Sequence, residues 1–166
     1  MLPRPFDDGD VDMLLDMSTD PYVPLTGTLP GNATREQALA YIRRQHGRLE
    51  TGYGYSFCIA DRGTGEALGQ AGLWTAAIEH GRATAGYCVA PRFRGRRYAT
   101  SALRALTAFA WSLDALHRVE LHIEPWNTAS VRTAEAAGYS REGLLRSHQE
   151  IGGRRVDVLR YAATRP

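Results

Sequence analysis

The chain contains no lysine; all 20 basic side chains are arginine. Abundant alanine and glycine accompany them, the pattern of a GC-rich coding sequence. Without an ε-amine, the chain has no lysine to act as base, Schiff-base former or acylation target. Cysteine is scarce, with 2 residues, Cys58 and Cys88. Each sits in an apolar run that reads as a strand, and no CxxC or HExxH spacing is present. The pair therefore reads as buried small hydrophobes and not as a disulfide or metal motif, so no metal is expected. No apolar run reaches the ~18 residues of a membrane span. The start, Met1-Leu2-Pro3-Arg4-Pro5, has no apolar signal-peptide region. A cytoplasmic protein with no membrane partner is the expectation. Net charge is only +2, too little for a general drive toward nucleic acid. A length of 166 residues with 43% apolar content fits one domain, 1–166, with a sizeable core.

The most informative segment runs from Tyr87 to Trp111. Tyr87-Cys88-Val89-Ala90 reads as a strand that Pro91 ends, since proline cannot donate to the ladder. Then come Arg92, Arg94, Gly95, Arg96 and Arg97 in one loop. From Tyr98 the apolar residues Ala99, Ala102, Leu103, Leu106, Phe109 and Ala110 recur at helical steps. The loop thus opens a helix, where about four amides lack partners and the dipole is positive. That arrangement binds phosphate. The same pattern also serves as a plain connection, with arginines as solvated surface.

The remaining elements form an ordered series. Asp10 to Ser18 reads as a short helix, and Asp20 to Gly31 as a Pro/Gly loop. Thr34 and Gln37 form a capping box for a helix whose apolar side carries Leu39, Ile42 and Leu49. Strands are expected over Tyr53–Ala60, Ala67–Ala77 and Arg82–Ala90, joined by short turns into an antiparallel meander. The long helix spans about Arg97 to Leu113. Arg118–Glu124 alternates as a half-buried strand, parallel to the one before it because a helix separates them. A helix from Ala129 to Ala137 ends at Gly138 as its C′ residue. Tyr139–Glu150 and Arg155–Tyr161 close as a hairpin around Ile151-Gly152-Gly153. The fold class is α/β: a mixed, mostly antiparallel sheet with one parallel pair and helices on both faces.

Val89-x-Pro91-Arg92-x-x-Gly95, a helix, an alternating strand, Asn127-x-x-Ser130 and Ala137-Gly138-Tyr139 together resemble the GNAT (GCN5-related N-acetyltransferase) superfamily. Gly86-Tyr87, Tyr98-Ala99-Thr100 and Gly138-Tyr139-Ser140-Arg141-Glu142-Gly143 are similar to its ribosomal-protein alanine N-acetyltransferase branch. The likeness spans roughly Gly69 to Tyr161. It implies acetyl-CoA as cosubstrate and an amine acceptor, either a protein N-terminus or a small molecule. It implies that amides of Arg94, Gly95, Arg96, Arg97, Tyr98 and Ala99 hold the pyrophosphate. Backbone groups at Cys88 and Val89 would pair with pantetheine like a short strand and polarise the thioester carbonyl. One departure is Arg97, where the family usually has Gly or Ala. Its Cβ would have to turn away with a helical φ, leaving the guanidinium to reach phosphate.

The resemblance also implies candidate chemistry. Ser130 would hydrogen-bond the CoA sulfur and protonate it, with a helix-start serine bonded to backbone as the alternative. Many relatives carry a tyrosine seven residues after the Asn, and Ala134 stands there. Asn127 would pair with pantetheine amides or serve as an N-cap. The base position in relatives corresponds to Gln149, so Glu150 would need a bulge or register shift to replace it. Glu124, with Glu120 and His122 on the same strand face, is the next candidate, and His148 has a suitable ordinary pKa. Tyr22, Trp74 and Trp126 are candidates for the acceptor pocket. Two other functions remain open at this level. One is a catalytically weak CoA-binding sensor or interaction module. The other is nucleic-acid binding through the arginine loop, which lacks an aromatic platform or recognition helix. Sequence leaves a homodimer undecided.

Overall fold

The computed structural model describes residues 1–166. Seven strands form one sheet: β1 (Leu2–Arg4), β2 (Gly54–Ala60), β3 (Ala67–Trp74), β4 (Arg82–Val89), β5 (Arg118–Ile123), β6 (Ser140–Ile151) and β7 (Arg154–Thr164). Their spatial order is β1-β2-β3-β4-β5-β7-β6. All neighbours are antiparallel except β4 and β5. The helices are α1 (Val11–Ser18), α2 (Val23–Thr26), α3 (Arg35–His46), α4 (Tyr98–Trp111) and α5 (Thr128–Ala136).

The sheet separates two apolar layers. One joins α1 and α3 to the sheet through Val11, Met13, Leu14, Met17, Tyr41, Ile42, Cys58 and Leu68. The other joins α4 and α5 through Ala102, Leu103, Leu106, Ala110, Ala134, Val119, Leu121 and Ile123. In α4 the small side chains let the helix sit against Ala71, Ala83 and Ala85 of β3 and β4. Leu103 and Leu106 are fully buried, each worth roughly 2 kcal/mol of apolar burial.

Local chemistry explains the element ends. The Thr34 hydroxyl accepts from the Gln37 amide at 3.2 Å, and the Gln37 carbonyl oxygen accepts from the Thr34 amide at 2.8 Å. Gly138, with φ 94°, terminates α5. Gly152 and Gly153 both have positive φ, 57° and 75°, as the two-residue hairpin between β6 and β7 requires. Gly86 of β4 lies under Trp74, and a Cβ there would come within 2.7 Å of the indole.

Some expectations need correction. β1, a three-residue strand, and α2, a single turn within the Asp20–Gly31 loop, give no readable sequence pattern. The second meander strand stops at Trp74, short of Ala77. Leu49 lies beyond α3 and is 59% exposed; the expected Ile42 is buried, Leu39 packs at the edge of the core, and Ala38 and Tyr41 complete the apolar side.

Candidate active site

The parallel ladder between β4 and β5 is short, pairing Arg82–Thr84 with Arg118–Glu120. Beyond it, Ala85–Val89 and Leu121–Ile123 have no ladder partners in each other, so the sheet opens into a cleft. Ala90 donates to the Leu68 carbonyl at 2.9 Å. Antiparallel alternation then turns the backbone groups of Cys88 and Gly86 toward β3 and those of Tyr87 and Val89 toward the cleft. Of the two expected pantetheine partners, Val89 presents its backbone to the cleft and Cys88 does not.

At the end of β4 the chain makes a single helical turn, Pro91–Phe93, then rises into α4. The amides of Gly95, Arg96, Arg97, Tyr98, Ala99 and Thr100 donate to no backbone group; Ser101 is the first to do so, to the Arg97 carbonyl at 3.3 Å. Free donors at the positive end of a helix are what an anion seat requires, and here they lie at the mouth of the cleft. Gly95 has φ 79° and Arg97 φ 61°, ψ 15°. The helical φ expected for Arg97 is thus replaced by a left-handed one, the region that favours glycine.

The four arginines divide into two pairs. The Arg92 amide donates to Asp16 Oδ2 at 3.2 Å. Arg94 donates from Nε to the Val89 carbonyl at 3.0 Å and from Nη1 to Asp20 Oδ2 at 2.5 Å. Burial of Asp20 opposes its ionisation, but the Arg94 hydrogen bond and the amides of Tyr22 and Val23 outweigh it and hold the carboxyl below its ordinary range. Arg96 and Arg97 are exposed and make no ion pair. Two cations are therefore free beside the open amides.

Asn127 is the N-cap of α5: its Oδ1 accepts from the Ser130 amide at 3.1 Å. The Ser130 carbonyl accepts from the Tyr87 hydroxyl at 3.3 Å, which brings the start of α5 to the open end of β4. Burial raises the Tyr87 phenol, and the adjacent Ser130 and Thr133 side chains oppose that rise, so the Ser130 side chain lies beside Tyr87. Ala134 is fully buried in the α4–α5 layer, so a tyrosine at that position would collide with the core. Burial raises the thiols of Cys58, to about 12, and Cys88. Both remain protonated near neutral pH and are poor nucleophiles.

Glu124 follows β5 directly and is only 8% exposed. Its Oε2 accepts from the Tyr22 hydroxyl at 2.6 Å, and Oε1 has no partner within the protein. Burial, then the hydrogen bond and charge of Glu124, push the Tyr22 phenol well above its ordinary value. The Tyr22 ring meets Trp126 edge-on at 5.1 Å and 89°. Tyr22 was a pocket candidate from sequence, but its bond to Glu124, 102 residues away, carries no local signal.

Glu150 is exposed and faces Arg155 across the hairpin, with no bond to the cleft residues. A register shift does occur, between Leu145 and Gln149. Ser147 there has φ 49°, and its amide donates to Asp157 Oδ1 at 2.7 Å. The bulge brings His148 against His122, with ring centroids 5.0 Å apart. Burial lowers the His122 pKa, and the neighbouring His148 adds to this. Glu120 is taken by Arg118, at 2.6 Å. Trp74 packs over Gly86 and near Arg48.

A family model for the acetyltransferase (GNAT) domain matches residues 2–140. The chain belongs to the GNAT family. It is 28% identical over 153 residues to p20, an uncharacterised N-acetyltransferase of Bacillus licheniformis, spanning 92% of this chain and 86% of that one. RimL, a ribosomal-protein alpha-N acetyltransferase in complex with coenzyme A, shares the fold with a TM-score of 0.80 at 19% identity, covering 98% of this chain and 92% of RimL. Spermidine N-acetyltransferase from Vibrio cholerae, in complex with CoA and spermine, gives 0.76 at 18%, covering 98% and 94%. This GNAT protein is thus an N-acetyltransferase. No group of three or more His, Cys, Asp or Glu side chains is arranged to hold a metal. No helix is long and apolar enough to cross a membrane.

Proposed function

We propose that this GNAT protein transfers acetyl from acetyl-CoA directly to a primary amine, with a protein N-terminus as the first acceptor class and a small-molecule amine as the second. The observation that carries the reading is the row of unbonded amides from Gly95 to Thr100 at the open end of β4 and β5. These amides, with Arg96 and Arg97, hold the pyrophosphate. The cleft-facing backbone of Tyr87 and Val89 pairs with pantetheine, and an N–H there supports the thioester oxygen as charge develops.

An α-amine has a pKa of about 8, so a base assists near neutral pH. Glu124 takes the ammonium proton on Oε1, directly or through one water. The nitrogen attacks the thioester carbon, a C–N bond forms, and the C–S bond breaks. The Ser130 hydroxyl passes its proton to the departing sulfur and regains one, through water, from the second proton the nitrogen sheds on becoming an amide, while Glu124 returns its proton to solvent. Trp126, 61% exposed and packed on Tyr22 beside Glu124, offers an apolar surface suited to peptide side chains. The buried Glu124 offers a carboxylate at the end of β5, where Gln149 offers none, and this favours turnover over a non-catalytic sensor.

The test is thiol release from acetyl-CoA with a panel of N-terminal peptides, polyamines and aminoglycosides. Amine-dependent release with acetylated product supports the reading. Tight CoA binding with no release for any amine favours the sensor.

A further inference from the structure

Past Thr84 and Glu120, no ladder holds β4 and β5 at a set separation, yet the chemistry needs groups from both. Two side-chain ties cross the gap. On the α5 face, the Tyr87 hydroxyl reaches the Ser130 carbonyl. On the α1 face, the tie is longer and continuous. The Val89 carbonyl accepts from Arg94 Nε at 3.0 Å, Asp20 Oδ2 from Arg94 Nη1 at 2.5 Å, and Asp20 Oδ1 from the Tyr22 amide at 2.7 Å. The Tyr22 hydroxyl then donates to Glu124 Oε2 at 2.6 Å. This path leads from the end of β4, through the residue just before the anion seat, to the carboxylate at the end of β5.

We infer that Arg94, Asp20 and Tyr22 form a strut that fixes Glu124 relative to the thioester and couples its position to occupation of the anion seat. Asp20 and Tyr22 are positioning residues that act through Glu124. The inference rests on the proposed role of Glu124 as base. The Glu124 side chain has three rotatable bonds, and the one protein hydrogen bond to its carboxylate comes from Tyr22. A misplacement of about 1 Å costs up to roughly a hundredfold in rate. Arg94 is committed to Asp20 and Val89, so its guanidinium serves the strut and leaves phosphate to the amides and to Arg96 and Arg97. Pyrophosphate ordering of Gly95 onward then stiffens Arg94 and, through it, Asp20 and Tyr22.

A double-mutant cycle tests this, using Tyr22→Phe and Glu124→Gln, both close to isosteric. Tyr22→Phe is expected to lower kcat about tenfold with acetyl-CoA affinity within twofold. In the Glu124→Gln background, adding Tyr22→Phe should change kcat by less than twofold, because residues acting as a unit are not additive. The same tenfold loss in both backgrounds, or no loss in either, would overturn the strut. Hydrogen exchange supplies a readout independent of turnover. Acetyl-CoA should slow exchange of residues 20–26 in the wild type but not in Asp20→Asn, which keeps an acceptor for the Tyr22 amide and loses the negative charge that faces Arg94. Absence of that protection in the wild type refutes the coupling even if catalysis is found. If no amine is acetylated, the proposed function fails, and exchange alone decides whether the strut stands.

Discussion

Replacing Arg97 by glycine should stabilise this protein. Arg97 sits at φ 61°, ψ 15° as the N-cap of α4, with no capping bond from its side chain. A left-handed conformation costs a non-glycine residue roughly 1–2 kcal/mol. Glycine removes that cost but adds freedom to the unfolded chain, worth about 0.4–1 kcal/mol. The exposed guanidinium makes no ion pair, so its loss subtracts nothing from folding. The net gain is about 0.5–1 kcal/mol, or ~1–4 °C in Tm for a chain of this size. Arg97→Ala keeps the Cβ and the strain, and should leave Tm unchanged within about 1 °C. Calorimetric melts of the three proteins decide the matter. Titration calorimetry adds a second axis, since both variants lose a cation beside the phosphate seat. Each should bind acetyl-CoA roughly threefold to tenfold more weakly, with the difference fading at about 0.5 M salt. If the glycine variant melts no higher than the alanine one, the backbone argument is wrong. If neither loses affinity, Arg97 does not touch phosphate.

Further outcomes are expected elsewhere. Ser130→Ala should lower kcat about a hundredfold in thiol-release assays while acetyl-CoA affinity stays within twofold; wild-type turnover would end the serine's role. Glu124→Gln should lose about a hundredfold at pH 7 but recover part of it by about pH 9, where an α-amine is already neutral; a constant deficit across pH counts against the base. Gly86→Ala, whose Cβ would lie 2.7 Å from the Trp74 ring, should cost about 1–3 kcal/mol in urea melts. Asp20 is held below the ordinary aspartate value of 3.8, so its contribution to stability is full above that pH and lost as pH falls through the lower folded value. The stability difference between wild type and Asp20→Asn, measured by urea melts at pH 7 and about pH 3, should therefore shrink toward the acid side.

Much of this architecture was readable because its signals are local. The helical spacing through Leu103 and Leu106, the alternation of Val119, Leu121 and Ile123, the Thr34–Gln37 capping box and the glycine pair at 152–153 each act within a few residues. The strand–loop–helix that carries the open amides was readable for the same reason, since a strand, a proline and a helix start sit within one short stretch. What escaped was either too short or too distant. β1 offers three residues, one of them Pro3. The single turn of α2 lies among prolines that read as loop. The β6 bulge depends on Asp157 of the neighbouring strand, so the sequence could not show that His148, rather than Glu150, would meet the β5 face. Leu49 continues the apolar period of α3, but the helix ends at His46 and leaves it in solvent. The pairing of Tyr22 with Glu124 spans 102 residues and arises only when α1 folds onto the open end of the sheet.

The most direct measurement is a crystal structure of the protein with acetyl-CoA. The account predicts pyrophosphate oxygens within ~3 Å of amides between Gly95 and Thr100. It also places the pantetheine along Tyr87–Val89 and the sulfur in reach of the Ser130 hydroxyl. A nucleotide bound with its diphosphate away from those amides would contradict it.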